Sequence, residues 1–272
     1  MRKTLISVRE KEKIVLASQE SRRVSAIFII VLGILFIFST GFTRFNPVAA
    51  LLAQGEFWNF IITDFFPPRM ISWNALLDSL LQTFYMAMSA TGIASLISFI
   101  LSFLGTKTIT RSAAVNNTIR GFASILRNIP GIVWAFILVA AFGIGTAVGV
   151  LALVISNTGT LTRYFVETLD ETAEETMEGP VAAGASMPPV IFQAVIPTVL
   201  PTFIAWMLYS IELNIRASTI LGMVGAGGIG LMMMGYIKRF NYSAATTCII
   251  AVSIMIIAVN ILTEKIRKAI LR

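Results

Sequence analysis

Histidine is absent from this chain, and a single cysteine, Cys248, stands alone inside an apolar run. The first absence removes the commonest general base and the commonest metal ligand, and with them any Ser-His-Asp or Cys-His nucleophile. The second excludes a disulfide framework, so cysteine usage says nothing of redox compartment. Charge is scarce as well: Asp, Glu, Lys and Arg make up 13% of the 272 residues, against 56% hydrophobic. A water-soluble domain of this size needs more polar surface than that, so lipid is the expected solvent for most of the chain. No G-x-x-x-x-G-K-[ST] phosphate loop occurs, which excludes ATP hydrolysis by this chain alone. The paired acids Glu174 and Glu175 lie among polar residues and read as a solvated or partner-facing surface rather than an acid/base pair. Catalytic residues and metal ligands are therefore expected to be none.

What is present is apolar length. Six stretches, at about residues 24–42, 76–104, 122–142, 146–165, 190–212 and 243–262, are long enough to cross a hydrocarbon core. Each must be helical, because lipid offers free backbone groups no partner. The expected fold is thus an all-α membrane protein with six transmembrane helices. The first stretch lacks a small-x-small cleavage site and reads as an uncleaved anchor. Seven Lys and Arg precede residue 24, three fall in 105–121 and four follow residue 262, whereas 43–75 holds only Arg44 and Arg69. The positive-inside rule then puts the N- and C-termini in the cytoplasm, as an even number of spans requires. The net charge of +7 is explained by this topology, with membrane lipid as the surrounding partner and no nucleic acid.

The chain divides accordingly into an N-terminal arm at 1–23, an anchor helix at 24–42, an external loop at 43–75, a five-helix core at 76–265 and a tail at 266–272. The arm mixes both charge signs with scattered Ile, Val and Leu, and fits either an interfacial amphipathic helix or a solvated arm. The external loop carries Pro47, Pro67, Pro68 and the aromatics Phe57, Trp58 and Trp73, residues suited to a membrane interface.

Within the core, the loop 167–189 holds Glu167, Asp170, Glu171, Glu174, Glu175 and Glu178 with no Lys or Arg, which suits a basic protein partner. Its end is small and turn-prone, and Gly184 allows a left-handed turn there. Pro197 and Pro201 should kink the fifth span. Asn157, Thr158 and Thr160 either line a pathway or hydrogen-bond between helices. Glu212 and Arg216 are spaced i, i+4; they either neutralise each other or sit in the outer headgroup region, or Arg216, with Asn214 as a hydrogen-bond donor, helps define a path or gate for an anion. Gly225 to Gly230 satisfies G-x-G-x-x-G, but no acid follows until Glu264, so a dinucleotide reading fails. Gly225, Gly227 and Gly228 instead suit non-helical backbone or tight packing within the membrane.

Glu178, Gly184 six residues on, and Ala194-Val195-Ile196-Pro197 resemble the signature loop of bacterial ATP-binding cassette (ABC) importer permeases. Gly179 and Pro180 stand where that family has two alanines. The run Glu212, Asn214, Arg216, Thr219, Leu221, Gly222, Val224 and Gly225 to Gly230 is similar to phosphonate-type permeases. So are Arg127-Asn-Ile-Pro130 with Trp134-Ala135, and Gly143-Ile-Gly145 with Gly149-Val-Leu-Ala152. The similarity covers about residues 75 to 270; methionine-type permeases carry a related Gly-rich segment.

This resemblance implies a type I ABC importer permease (MetI-like) fold in a bacterial inner membrane. It implies that Glu178, Ala182, Ala183, Gly184, Ala185, Ser186 and Pro197 belong to a coupling loop docked on an ATPase. Asn157, Thr158, Glu212, Asn214, Arg216, Gly225, Gly227 and Gly228 are the candidate substrate pathway or gate. The implied partners are a second permease copy or paralogue, two cytoplasmic ATP-binding subunits and a periplasmic or lipid-anchored phosphonate-binding protein. No cofactor is expected in this chain; ATP and Mg belong to the partner subunit. The implied cargo is a phosphonate or a related phosphorus oxyanion such as phosphite or a phosphate ester, with methionine or another amino acid as the alternative.

Overall fold

The computed structural model describes residues 19–110 and 112–271, and every regular element among them is helical. They fall into two units, one ending at Phe60 and the other beginning at Ile61. The first contains α1 (Gln19–Thr43), α2 (Pro47–Leu52) and α3 (Gln54–Phe60). From Val24 to Ser39 every residue of α1 is exposed, although the run is nearly all apolar. A helix apolar on all sides fits lipid and not water. Asn46 starts α2 by accepting from the Val48 and Ala49 amides, with Pro47 pre-set for the first helical position.

The second unit opens with a π-helical turn at Ile61–Phe65 and continues through eight helices. These are α4 (Trp73–Gly105), α5 (Ala113–Asn128), α6 (Gly131–Phe142), α7 (Thr146–Ala182), α8 (Met187–Val190), α9 (Ile196–Leu221), α10 (Gly228–Lys238) and α11 (Tyr242–Ile270). Phe65 stacks on Tyr242, and the hydroxyls of Ser243 and Thr247 donate to the carbonyls of Asp64 and Arg69. The chain before α4 is thereby fastened to the start of α11.

The centre of this unit is α7, which packs on α4, α5, α6 and α9. Sixteen of its 37 residues are buried, more than in any other helix, so neighbours rather than lipid surround it. Phe165 stacks on Phe203 of α9 with ring centroids 4.1 Å apart, among Leu161, Leu169, Val195 and Val199. Gly159 lets α7 touch the backbone of α5: a Cβ there would lie 2.7 Å from the Ala123 carbonyl oxygen and 2.7 Å from the Arg127 amide nitrogen.

Among the described residues four helical stretches are long and apolar enough to cross a membrane: Arg23–Thr43, Trp73–Gly105, Met187–Ala226 and Tyr242–Ile270. The expected third span, 122–142, is not one helix. It breaks into α5 and α6, bent by 81°. Pro130 disfavours the helical conformation at Ile129, which is extended, and Pro130 itself then caps α6. The expected fourth span, 146–165, is the first half of α7 and does not count among the four. Asn157, Thr158, Thr160, Thr162 and Arg163 interrupt its apolar run, which a helix shielded from lipid tolerates.

The acidic segment also differs from expectation. It is not a loop over 167–189: α7 runs on through its Glu, Ala and Met residues, all good helix formers, and includes Pro180 in its final turn. Gly184, at φ +87°, closes the helix. The Ala185 amide donates to the Pro180 carbonyl at 3.0 Å and the Gly184 amide to the Val181 carbonyl at 2.9 Å, the two bonds of a Schellman turn. Further on, a π turn at Ile191–Val195 precedes Pro197, whose missing N–H interrupts the regular ladder. A second π turn at Gly222–Ala226 leads into the glycine run, where Gly225, Gly227 and Gly228 all have positive φ.

Candidate functional site

The break between α5 and α6 leaves the start of α6 beside the middles of α7 and α9. Between them lies a cleft of about 350 Å³ whose walls include Pro130, Gly131, Ser156, Asn157, Asn214 and Ala217. Two amides therefore meet in a mainly apolar recess. Asn157 is 7% exposed; its Oδ1 accepts from the Ser210 hydroxyl at 2.5 Å. Its Nδ2 is buried without a hydrogen-bond partner among the described residues. A buried amide donor left open beside a cleft is costly unless something else fills the bond. Asn214 donates its Nδ2 to the Thr91 hydroxyl at 2.8 Å, and Thr91 donates on to the Ala87 carbonyl, so α9 is locked to α4.

The remaining pathway candidates lie elsewhere. Thr158 sits against α4, where its carbonyl accepts from Ser98, and it does not line the cleft. Glu212 is 8% exposed and takes the guanidinium of Arg216 in an i, i+4 ion pair; neither lines the cleft. The glycine run packs against α4, α6 and α7. The Gly225 carbonyl accepts from the Gly145 amide at 3.0 Å, closing the α6–α7 turn. A Cβ on Gly227 would come within 2.6 Å of Thr146, and one on Gly228 within 2.5 Å of the Thr83 hydroxyl. That hydroxyl accepts from the Ile229 amide at 2.9 Å, which gives the non-helical backbone a partner.

At the far end of α7, Glu178, Ala182, Ala183, Gly184, Ala185 and Ser186 are all exposed, as is Pro197 at the start of α9. Their support is buried: Met177, Val190 and Val195 join the cluster around Phe165 and Phe203. The tip is therefore a small-residue surface on a rigid base. Space around Gly184 is open, with nothing within 4 Å of a Cβ built there.

A third constellation has no counterpart in the sequence reading. Asp170 Oδ1 accepts from the Thr106 hydroxyl at 2.7 Å and the Lys107 amide at 3.2 Å, while Oδ2 meets Arg120 Nη2 at 2.5 Å. Arg120 Nε donates to the Gly105 carbonyl at 2.9 Å. Together they satisfy the C-terminal end of α4 and tie α4, α5 and α7 at one point. Partial burial raises the Asp170 pKa, but the bonds from Arg120, Thr106 and Lys107 and the Arg120 charge outweigh it. The carboxyl is held below its ordinary value.

Helices α4 to α11 define a transporter subunit of known architecture. A structure of the inward-facing MetNI methionine ABC transporter matches 74% of this chain and all of its own chain at a TM-score of 0.65 and 19% identity. The fold is therefore the type I (MetI-like) ABC permease fold. The chain belongs to the family of binding-protein-dependent transport system inner membrane components, whose sequence profile matches residues 94–272. It is similar to the phosphite transport system permease protein PtxC of Stutzerimonas stutzeri, 32% identical over 74% of each chain. It is also similar to the phosphate-import permease protein PhnE of Mycolicibacterium smegmatis, 31% identical over 75% of this chain and 38% of that longer protein. The chain is a multi-pass membrane protein and the permease component of an ABC importer.

Proposed function

We propose that the chain carries a phosphorus oxyanion, of the phosphite, phosphate or phosphonate class, across a bacterial inner membrane. The observation that carries the cargo assignment is the similarity to a phosphite permease along three quarters of both chains. The likeness to the methionine transporter, at 19% identity, supports the fold alone.

In this reading α7 supplies the sixth crossing, and both termini face the cytoplasm with the tip of α7. The cleft beside Asn157 and Asn214 is half of a pathway completed by a second copy or a paralogue. Two ATP-binding subunits, which hold ATP and Mg, dock on Glu178 and the Ala182–Ser186 turn. A binding protein delivers cargo at the other side. Closure of the ATPase pair pushes on the tip, and the rigid base around Phe165 and Phe203 transmits that push along α7 to the cleft. Arg216 acts through Glu212 and not on the cargo.

The test is ATP hydrolysis by the chain reconstituted with its genome-neighbouring ATPase and binding protein. Stimulation by phosphite or 2-aminoethylphosphonate that requires the binding protein supports the assignment. Stimulation by methionine alone would keep the importer and reject the cargo.

A further inference from the structure

α5 is amphipathic, and one polar stripe of it, Arg120, Ser124 and Arg127 at i, i+4 and i+7, lines a cavity of about 240 Å³ shared with α7. From α7 the same cavity receives Thr162, Arg163 and Glu167. Three arginines thus line this space with a single carboxylate; Arg127 and Arg163 are exposed and Arg120 is half-buried. Arg163 is held by Glu167 at 2.6 Å, and Arg120 by Asp170 at 2.5 Å just outside the lining. The Arg127 side chain has no hydrogen bond or ion pair among the described residues, so the cluster keeps one uncompensated positive charge. Ser124 accepts from Asn128 Nδ2 at 3.2 Å, and its own proton is free to donate.

Arg127 lies in the last turn of α5, where a cation suits the helix dipole. That accounts for its position along the helix and not for its place beside two other guanidinium groups, where like charges repel. Planar guanidinium forks and a hydroxyl donor are the groups that recognise a tetrahedral oxyanion. The volume lies below the roughly 300–1,000 Å³ of a drug-sized ligand site. None of its lining residues belongs to the cleft beside Asn157.

We infer that this cavity binds a phosphate-class oxyanion, with Arg127 as its principal ligand and Arg120, Arg163 and Ser124 beside it. The anion has two possible sources: the headgroup of an anionic phospholipid, or a free phosphate-like ion. The site stands whether or not the cargo is a phosphorus compound, so the transport assay and the binding assay fail independently.

The full chain is purified in maltoside micelles, which contain no phosphate, and its thermal unfolding is followed against two titrations. One is inorganic phosphate, with sodium chloride at matched ionic strength as control; the other is phosphatidylglycerol. A saturable rise in Tm with phosphate identifies the free ion, and one with phosphatidylglycerol alone identifies the headgroup. In either case Arg127→Gln raises the half-effect concentration about tenfold, and Glu167→Gln, which removes the competing carboxylate, lowers it. No saturable rise with either ligand overturns the inference. So does an Arg127→Gln variant that titrates like the unmodified chain.

Discussion

Arg120 of α5 and Asp170 of α7 meet at 2.5 Å, directly beneath the last carbonyls of α4. Both side chains are about one-third exposed, at 33% and 30%, so solvent screens much of the attraction. Asp170→Asn keeps the shape and the Thr106 bond but loses the charge, and is expected to cost about 1 kcal/mol of stability. The pH dependence has a definite sign. Because the folded pKa lies below the ordinary 3.8, the contribution is complete above that value and is lost as pH falls through the lowered folded pKa. Thermal unfolding of the two proteins should differ by a constant amount from pH 8 to 5 and converge only at more acidic pH. A difference that vanished near neutral pH would refute this account.

Contact between α5 and α7 depends on Gly159, where a Cβ would lie 2.7 Å from two backbone atoms. Backbone cannot swing aside as a flexible side chain does, so Gly159→Ala must separate the helices. The expected loss is about 1–3 kcal/mol, seen as a lower Tm in detergent and less protein in the membrane. Gly121→Ala on α5 is the control: nothing lies within 4 Å of its Cβ, and alanine there should be neutral or mildly stabilising. Equal behaviour of the two variants would reject the close-contact argument.

Gly184 presents the opposite case. Its surroundings are open, so a side chain there meets only the cost of a left-handed conformation, about 1–2 kcal/mol. Gly184→Val should therefore still accumulate in the membrane. If the turn is the docking surface proposed above, however, the added bulk blocks contact and uptake falls at least about tenfold, the effect of 1.4 kcal/mol of lost binding. Co-purification of the ATPase with Gly184→Val at normal yield would rule that surface out.

The parts legible in sequence were those whose physics is local. Spans near residues 24–42, 76–104 and 243–262 follow from the length of apolar chain that lipid demands, and helices stand at each. The glycine run pointed to non-helical backbone because no other residue takes positive φ so readily, and Gly225, Gly227 and Gly228 do. The break at Ile129–Pro130 carried a local signal in Pro130 that the surrounding hydrophobicity concealed. The continuation of α7 to Ala182 was hidden for the reverse reason, since an acidic helix far from lipid has no apolar run to announce it. Asp170 and Arg120 are 50 positions apart, and the arginine cavity joins two helices that only the folded core brings together. No spacing rule within one segment could have paired them.

Glu212 and Arg216 separate a structural role from a transport role. Glu212 is nearly buried while the Arg216 side chain is 47% exposed, so the arginine reaches in from the surface of α9 to neutralise the acid. Removing Arg216 alone leaves the carboxylate without its partner. The expected cost is about 1–3 kcal/mol, below that of a fully buried pair because nearly half of the arginine side chain is exposed. Arg216→Gln should thus lower Tm and transport together. The double variant Glu212→Gln, Arg216→Gln removes the unpaired charge and should recover most of the stability. Because neither residue lines the cleft, transport should recover with it. Asn157→Ala is the contrast: it deletes an amide that does line the cleft, so uptake should fall even at temperatures where the variant is fully folded, beyond the modest Tm loss from the missing Ser210 bond. If the double variant regained its Tm and still failed to transport, Arg216 would have to meet the cargo itself, and the pathway would run along the Glu212 face of α9 instead of past Asn157.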